Sequence, residues 1–417
     1  MQEVIIEKPY EFVPPDRGSW WYRFIRLFDL QGRHLRRSEG VVAHEIRGAE
    51  RLRASLVAGH GIMLAPNHCR VADPLVFGWL SGEVDCLMYS MASWHLFNQD
   101  WFTAWAIRKM GAFSVNREGV DRKAINTAIE ILTEAERPLV IFPEGTVSRT
   151  NDELHALLDG VAFIARTAAK KRAKSASGGK VVIHPVALKY LFGGDIEKAA
   201  DEVLTEIEHR ITWRPQRHLS LFDRIAKVGH ALLGLKEVEY FGRAQTGRFS
   251  DRLQALTDRL LAPLEEEWLG GPQGGPVVPR VKALRIKLLP EMVTGQVDET
   301  ERARRWAQLA DIYLAQQVSF YLPDYLISRF SVDRVLETIE RFEEDLTDVV
   351  RVHGHLKVII QVGEAIEVSP QRDRKAEVDP LMKKIGDDLQ GMLDELAEES
   401  PLLERISAES ETMAGVF

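Results

Sequence analysis

The imidazole of His68 and the carboxylate of Asp73 are the pair in this sequence best placed to do chemistry. They stand in Asn67-His68-Cys69-Arg70-Val71-Ala72-Asp73, directly after the apolar run Gly61-Ile62-Met63-Leu64-Ala65. A neutral imidazole can take a proton from an attacking hydroxyl near neutral pH if its other nitrogen is held and its cationic form is stabilised. A neighbouring carboxylate does both. Spacing alone does not bring the two together, because residues five apart sit about 140° around an ideal helix. The dipeptide Asp73-Pro74 offers a solution. Asp is a favoured N-cap and Pro a favoured first helical residue, so the helix should start here and leave His68 in the preceding loop, able to fold back. Cys69 is read as a small buried residue and not as a thiol nucleophile, since adjacent side chains rarely converge.

Three further segments accompany this pair. Gly111-Ala112-Phe113-Ser114-Val115-Asn116-Arg117 ends a candidate strand on an arginine, a charge-assisted donor suited to phosphate. Phe142-Pro143-Glu144-Gly145-Thr146 follows a second apolar run; its glycine can present backbone N–H groups to an anion, and its threonine adds a hydroxyl donor. A carboxylate is a poor phosphate ligand, so Glu144 is expected to position an arginine or an acceptor hydroxyl. Ile183-His184-Pro185-Val186 is the last segment. In this order the four resemble the motifs of the glycerolipid acyltransferase family, whose members move a fatty acyl group from a thioester carrier to a glycerophosphate hydroxyl. His68 and Asp73 match the family's His-x4-Asp element, and Gly111 with Arg117 its Gly-x5-Arg element. Residues 142–146 match Phe-Pro-Glu-Gly-Thr without a change, and residues 183–186 match an apolar-x-Pro-apolar segment. The resemblance covers residues 60 to 190. One position departs from it: many members carry Arg directly after the Thr, where this chain has Val147, with Arg149 two residues on as a candidate replacement.

The resemblance implies an acyltransferase in phospholipid biosynthesis. His68 would be the base and Asp73 its partner, with the acceptor hydroxyl attacking directly and no acyl-enzyme formed. Arg117, Glu144, Gly145, Thr146 and Arg149 would surround the acceptor. It implies no metal and no cofactor. The donor would be a thioester of coenzyme A or acyl carrier protein, and the leading acceptor 1-acylglycerol-3-phosphate or a related lysophospholipid. Expected partners are these substrates, a membrane surface and, as a candidate, acyl carrier protein; nucleic acid is not among them. Within the class the rival acceptors are another lysolipid or glycerol-3-phosphate, and outside it a catalytically silent lipid-binding scaffold. A serine hydrolase built on Ser148 or Ser114 lacks the Gly-x-Ser-x-Gly elbow.

The rest of the chain sets bounds. Its 417 residues suffice for one large core plus an insertion, or for two domains, and 45% hydrophobic with 28% charged residues is ordinary for a globular protein. A net charge of −8 means that any attraction to an anionic surface must be local. No apolar run reaches the roughly 18 residues of a spanning helix, Met1-Gln2-Glu3 lacks a basic signal-peptide start, and two cysteines make no disulfide framework. These points predict a cytoplasmic protein, peripheral on the inner face of the membrane. No repeat of fixed period stands out. His353 and His355 are read as a solvated loop end. Lys170, Lys171, Arg172, Lys174 and Lys180 around Ser175-Ala176-Ser177-Gly178-Gly179 are read as a solvated loop.

Periodicity orders the elements. Residues 19–31 read as an amphipathic helix with Trp20, Trp21, Phe24, Ile25, Leu27 and Phe28 on one side, and six arginines lie between Arg17 and Arg37. Strands are expected at 62–65, 84–89, 112–116, 139–142 and 181–190, and helices at 74–80, 94–110, 122–135 and 154–170. This is an α/β pattern: a mixed sheet with helices on both faces and a large helical insertion before the last strand. The aromatics Trp94, Phe97, Trp101, Phe102 and Trp105 read as core, with an acyl-chain groove or bilayer contact as second reading. The expected organisation is an N-terminal segment (1–40), an α/β core (41–195), a helical insertion (196–350), and a closing strand with its helix (351–417). That strand, Leu356–Val362, should join the sheet of Ile183–Leu188 and be covered by Leu389, Met392, Leu393 and Leu396.

Overall fold

Strands and helices alternate through the middle of the chain, as the sequence predicts. A computed structural model describes residues 7–174, 179–322, 324–349, 351–372, 376 and 378–404. In order come α1 (Trp20–Leu27), α2 (Leu30–Ser38), β1 (Val41–Arg47), α3 (Ala49–Val57), β2 (Gly61–Pro66), α4 (Asp73–Val84), β3 (Tyr89–Ser93), a 3₁₀ turn (Trp94–Asn98) and α5 (Trp101–Lys109). They are followed by β4 (Ala112–Val115), α6 (Arg122–Glu134), β5 (Leu139–Val140), α7 (Gly160–Arg172) and β6 (Val181–Phe192). Among the described residues seven helices then follow without a strand: α8 (Ile196–Thr212), α9 (Leu221–Phe241), α10 (Phe249–Leu269), α11 (Val277–Val293), α12 (Glu299–Val318), α13 (Tyr325–Ser328) and α14 (Val332–Thr347). The chain closes with β7 (Leu356–Val362), β8 (Ile366–Glu367) and α15 (Pro380–Ala397). By its contacts it divides into an α/β unit, Tyr10–Gly193 with His355–Glu399, and a helical unit formed by the described residues of Met1–Pro9, Gly194–Gly354 and Ser400–Phe417.

The α/β unit is a mixed eight-stranded sheet ordered β1-β7-β6-β2-β5-β3-β4, with β8 also paired to β6. Every residue of β2 is buried, as expected of a central parallel strand covered on both faces. β7 runs antiparallel to β6, with Leu188 opposite Ile360, so the sheet closes across the helical segment as the apolar run Val358-Ile359-Ile360 requires. Leu389, Leu393 and Leu396 of α15 cover Ala187 and Ile359, with Met392 packed beside them.

Several boundaries differ from the sequence reading. The strand expected at 84–89 begins only at Tyr89, because α4 runs on to Val84 and ends in a left-handed Asp85. The helix expected at 94–110 is broken by Asp100, whose carboxylate caps α5 by accepting from Phe102 and Thr103 N–H. α7 starts six residues after the predicted Leu154. β1, which no alternation announced, is an edge strand with one neighbour, and its Val42, Ala43 and His44 are exposed. The predicted helix at 19–31 is two helices, α1 and α2, parted by a left-handed Asp29.

The stretch from Tyr10 to Ser38 belongs to the α/β unit. Leu35 is fully buried, and Val13 N–H and Tyr10 Oη bind Ser114 Oγ at 2.8 and 3.0 Å. Of the six arginines, Arg17 pairs with Glu134, Arg26 with Asp85 and Arg36 with Asp29, while Arg23, Arg33 and Arg37 are exposed. Arg172, expected in a solvated loop, is buried and donates to the carbonyls of Gly179, Thr133 and Gly59 at 3.0, 2.6 and 2.7 Å. Residues 175–178 of that loop lie outside the described residues.

The helical unit carries a repeat that the sequence reading missed. Glu208, Glu237 and Glu265, near the ends of α8, α9 and α10, are buried, and each takes a bidentate guanidinium from Arg224, Arg252 or Arg280 at 2.7–3.0 Å. Each also accepts the backbone N–H of the glutamine eight residues on: Gln216, Gln245 or Gln273, at 2.7, 2.8 and 3.0 Å. The fifth residue after each glutamate is left-handed: Trp213, Gly242 and Gly270. One helix-end design, Glu-x4-left-handed-x2-Gln with an Arg in the next helix, thus recurs three times. Glu343 repeats part of it at the end of α14, with left-handed Asp348 and an accepted Arg351 N–H at 3.1 Å. His353 joins that last carboxylate at 2.9 Å with its side chain largely buried, so it is no solvated loop residue.

Candidate active site

Strand ends bring the motifs to one edge of the sheet. β2 runs parallel to β5 and β6, and β3 parallel to both β4 and β5. The loops carrying His68, Glu144 and Arg117 therefore all follow the carboxyl ends of strands, where sites in such sheets form.

His68 Nδ1 lies 2.9 Å from Asp73 Oδ2. The same oxygen accepts Arg70 N–H at 2.9 Å, and Asp73 Oδ1 accepts the Tyr190 hydroxyl at 2.7 Å. The predicted fold-back is present, but Asp73 is not the cap. Ala72 holds the N-cap of α4, and the Asp73 carboxylate turns back to the loop before it. Asp73 is fully buried, while the His68 side chain is 15% exposed. Donation to the carboxylate sets Nδ1 as the protonated nitrogen and leaves Nε2 with the lone pair. The Phe142 ring packs against the imidazole with centroids 4.1 Å apart.

The backbone of His68 is gripped on both sides. Its N–H donates to Glu144 Oε1 at 2.6 Å, and its carbonyl accepts Ser148 N–H at 2.7 Å and Ser148 O–H at 3.0 Å. Glu144 Oε2 takes His155 N–H at 3.2 Å. Glu144 is thus a buried brace between two loops, with a backbone N–H on each oxygen where an arginine was expected. Burial pushes its carboxyl up to about 8, against the two backbone N–H groups that favour the charged form. Gly145 also departs from expectation, because its N–H closes a turn on Phe142 O at 3.2 Å instead of facing an anion. It must be glycine all the same: φ is +70°, and a Cβ would meet Leu158 Cδ1 at 2.5 Å. Its carbonyl accepts the Arg117 guanidinium, which ties the second motif to the third. Gly111 is required for a similar reason, with φ +94° and a Cβ position 2.5 Å from Met88 O.

His68, Asp73, Glu144, Gly145 and Arg117 are therefore joined by direct contacts. Thr146 and Arg149 follow on the Gly145 loop, both half-buried, with Arg149 left-handed at φ 60°. Cys69 is buried, as predicted. Neither serine is set as a nucleophile: Ser148 donates to the His68 carbonyl, and Ser114 Oγ is engaged by Tyr10 and Val13. Among the described residues no three His, Cys, Asp or Glu side chains converge as metal ligands.

Sequence reasoning missed the supports. Asn67 clamps Leu188 of β6, donating to its carbonyl at 3.0 Å and accepting its N–H at 2.7 Å. Asn151 does the same to Tyr190 at 2.6 and 2.8 Å. β2 pairs with β6 only as far as Pro66, and the two amides continue the ladder past it. An amide directly after a buried strand was the available signal for Asn67. Tyr190 and Asn151 gave none, since their partners are remote in sequence.

Residues 43–189 match the protein family described as Acyltransferase. A curated 1-acyl-sn-glycerol-3-phosphate acyltransferase of Streptococcus pneumoniae is 32% identical over 170 residues, 37% of this chain and 59% of that protein. The chain thus spans somewhat under two thirds of the length of that relative. The matched segment contains β2, β4, β5 and most of β6, with every side chain that meets at His68 except Tyr190, one residue beyond its end. Over that segment, and in its four motifs, this chain is similar to the glycerolipid acyltransferases.

Proposed function

We propose that the protein transfers a fatty acyl group from a thioester to the hydroxyl of a lysophospholipid, with 1-acylglycerol-3-phosphate as the acceptor. The observation that carries this reading is the His68–Asp73 pair at 2.9 Å, with Nε2 left as the basic nitrogen. The acceptor hydroxyl attacks the thioester carbonyl carbon while its proton passes to His68 Nε2. Collapse of the tetrahedral intermediate breaks the C–S bond, and the leaving thiolate takes the proton back from the imidazolium. Asp73 stabilises the transient cation. Arg117, fixed by the Gly145 carbonyl and sitting in a turn tied by Asp121, supplies positive charge for the acceptor phosphate, with Thr146 and Arg149 on the neighbouring loop. The donor carrier is coenzyme A or acyl carrier protein.

Such an acceptor resides in a bilayer, and α1 with α5 offers a surface for it at the cytoplasmic face. Trp20, Leu27 and Trp101 are 65%, 78% and 80% exposed, and Trp21 meets Trp105 at 4.8 Å, so the two helices share one aromatic patch. Arg23, Arg33 and Arg37 lie exposed on α1 and α2. Among the described residues no helix is long and apolar enough to cross a membrane. The test is incubation of purified protein with labelled acyl-coenzyme A or acyl carrier protein and a panel of lysolipids, on and off anionic vesicles. Acylated product from lysophosphatidate is expected. Free acid released without acceptor would replace the reading with a hydrolase, and no turnover on any acceptor would replace it with a lipid-binding scaffold.

A further inference from the structure

We propose that Tyr190 is a positioning residue of the proton-transfer pair, holding the Asp73 carboxylate and limiting its basicity so that the proton from the acceptor stays on His68. This deepens the function proposed above and rests on it.

The geometry separates the two oxygens of Asp73. Oδ2 serves His68 and the Arg70 N–H, while Oδ1 receives the Tyr190 hydroxyl at 2.7 Å. Cys69 Sγ is 3.8 Å from Oδ1, too weak a donor to replace a phenol. The phenol is itself fixed. Tyr190 is buried in β6, and its backbone is clamped on both polar atoms by Asn151. Other titratable and charged groups stand around this pair. The Arg70 guanidinium stands 5.5 Å from the Tyr190 ring centroid, Cys69 lies beside Asp73, and Glu144 holds the His68 N–H from the β5 side. Burial first, and then the charge of Asp73, keep the Tyr190 phenol protonated far above its usual range, so it can only donate to the carboxylate.

A donor on Oδ1 withdraws charge from the carboxylate and blocks its rotation. Losing it concentrates charge on Oδ2, which favours the imidazolium and frees the imidazole to turn with its partner. Tyr190→Phe removes one oxygen and leaves the ring. It should lower kcat about ten- to hundredfold, the range of one charge-assisted hydrogen bond, with little change in KM for donor or acceptor. The acid limb of kcat/KM should move to higher pH. A role in packing alone would lower the melting temperature and the rate while leaving that limb in place. Replacement of Tyr190 by 3-fluorotyrosine, a stronger donor, should move it the opposite way without loss of packing.

NMR titration of the His68 imidazole in the full chain reads the same link without turnover. A higher midpoint in Tyr190→Phe, or a lower one with the fluorinated residue, supports the proposal even if no acyl transfer is found, in which case the function proposed above fails alone. Unmoved midpoints with both replacements overturn the role of Tyr190, whatever the activity.

Discussion

Both units bury carboxylates, but Asp73 in the α/β unit is satisfied by different partners from the glutamates of the helical unit. In the helical unit Glu208, Glu237 and Glu265 each meet a guanidinium on two oxygens and a backbone N–H on one. Burial pushes the Glu237 carboxyl up, yet Arg252 and the Gln245 N–H outweigh it and hold it below the usual range. In the α/β unit Asp73 is bound by an imidazole, a backbone N–H and a phenol. An arginine is a permanent cation, so the helical pairs cannot respond to a reaction. An imidazole is not, so Asp73 gains its counter-charge only when His68 takes a proton. Buried charge does not by itself mark a site; a buried charge whose partner can change its own charge does.

The sharpest test of that contrast removes one member from each kind of pair. His68→Ala should lower acyl transfer by at least about 10³-fold with the melting temperature nearly unchanged. Glu237→Ala should do the reverse. It strands the buried Arg252 guanidinium and should cost roughly 3–5 kcal/mol in urea unfolding, with specific activity intact below the transition. Loss of stability in the first variant, or of activity in the second at full folding, would break the distinction. Arg117→Ala should have a smaller effect. It removes a charge-assisted phosphate contact worth about 1.5–3 kcal/mol, so acceptor KM should rise roughly ten- to hundredfold for phosphate-bearing lysolipids and much less for neutral ones. Arg149→Ala is the companion measurement. Phosphate selectivity lost there and not at Arg117 would assign compensation for Val147 to Arg149.

The same contrast explains what the sequence made legible. His68 and Asp73 were readable because reacting side chains sit close together in the chain at strand ends, and Gly111 and Gly145 because backbone conformation restricts their type. Tyr190, Asn151 and Ser148 were not, since each acts through contacts closed only by the sheet. The closing strand β7 was legible from its apolar run, whereas β1, an edge strand with exposed residues, hid among polar positions. The helical repeat was invisible for another reason. It is carried by a Glu, a left-handed residue and a Gln at one helix end and an Arg in the next helix, and the left-handed position accepts Trp213 as well as glycine. Apolar periodicity does not carry it.

Glu144 is a buried carboxylate braced by backbone N–H groups, and it should give the α/β unit a pH dependence. Its folded pKa of about 8 lies above the unfolded value. Its contribution to stability is therefore complete below the unfolded value and is lost as pH rises through about 8, at up to roughly 1.4 kcal/mol per pH unit. Glu144→Gln lacks this slope, and it turns an amide NH₂ toward one of the two N–H donors it must satisfy. The variant should be the less stable protein at pH 5, with the gap closing by pH 8. Urea midpoints at three pH values decide it, and parallel curves would remove Glu144 as the titrating brace.

The mildest prediction concerns the turn that repeats. At the fifth position after the buried glutamate, α9 and α10 end in Gly242 and Gly270, but α8 ends in Trp213 with φ 59°. A side chain in the left-handed region costs about 1–2 kcal/mol that glycine avoids. Trp213 recovers none of this by packing, since it is 85% exposed. Against that gain, glycine raises the entropy of the unfolded chain by about 0.4–1 kcal/mol. Trp213→Gly should therefore stabilise the helical unit by a few tenths to about 1 kcal/mol, read as a small rise in urea midpoint with acyl transfer unchanged. A loss of stability would mean that the indole holds this turn in a way its two glycine counterparts do not, and the three helix ends would then no longer be one design.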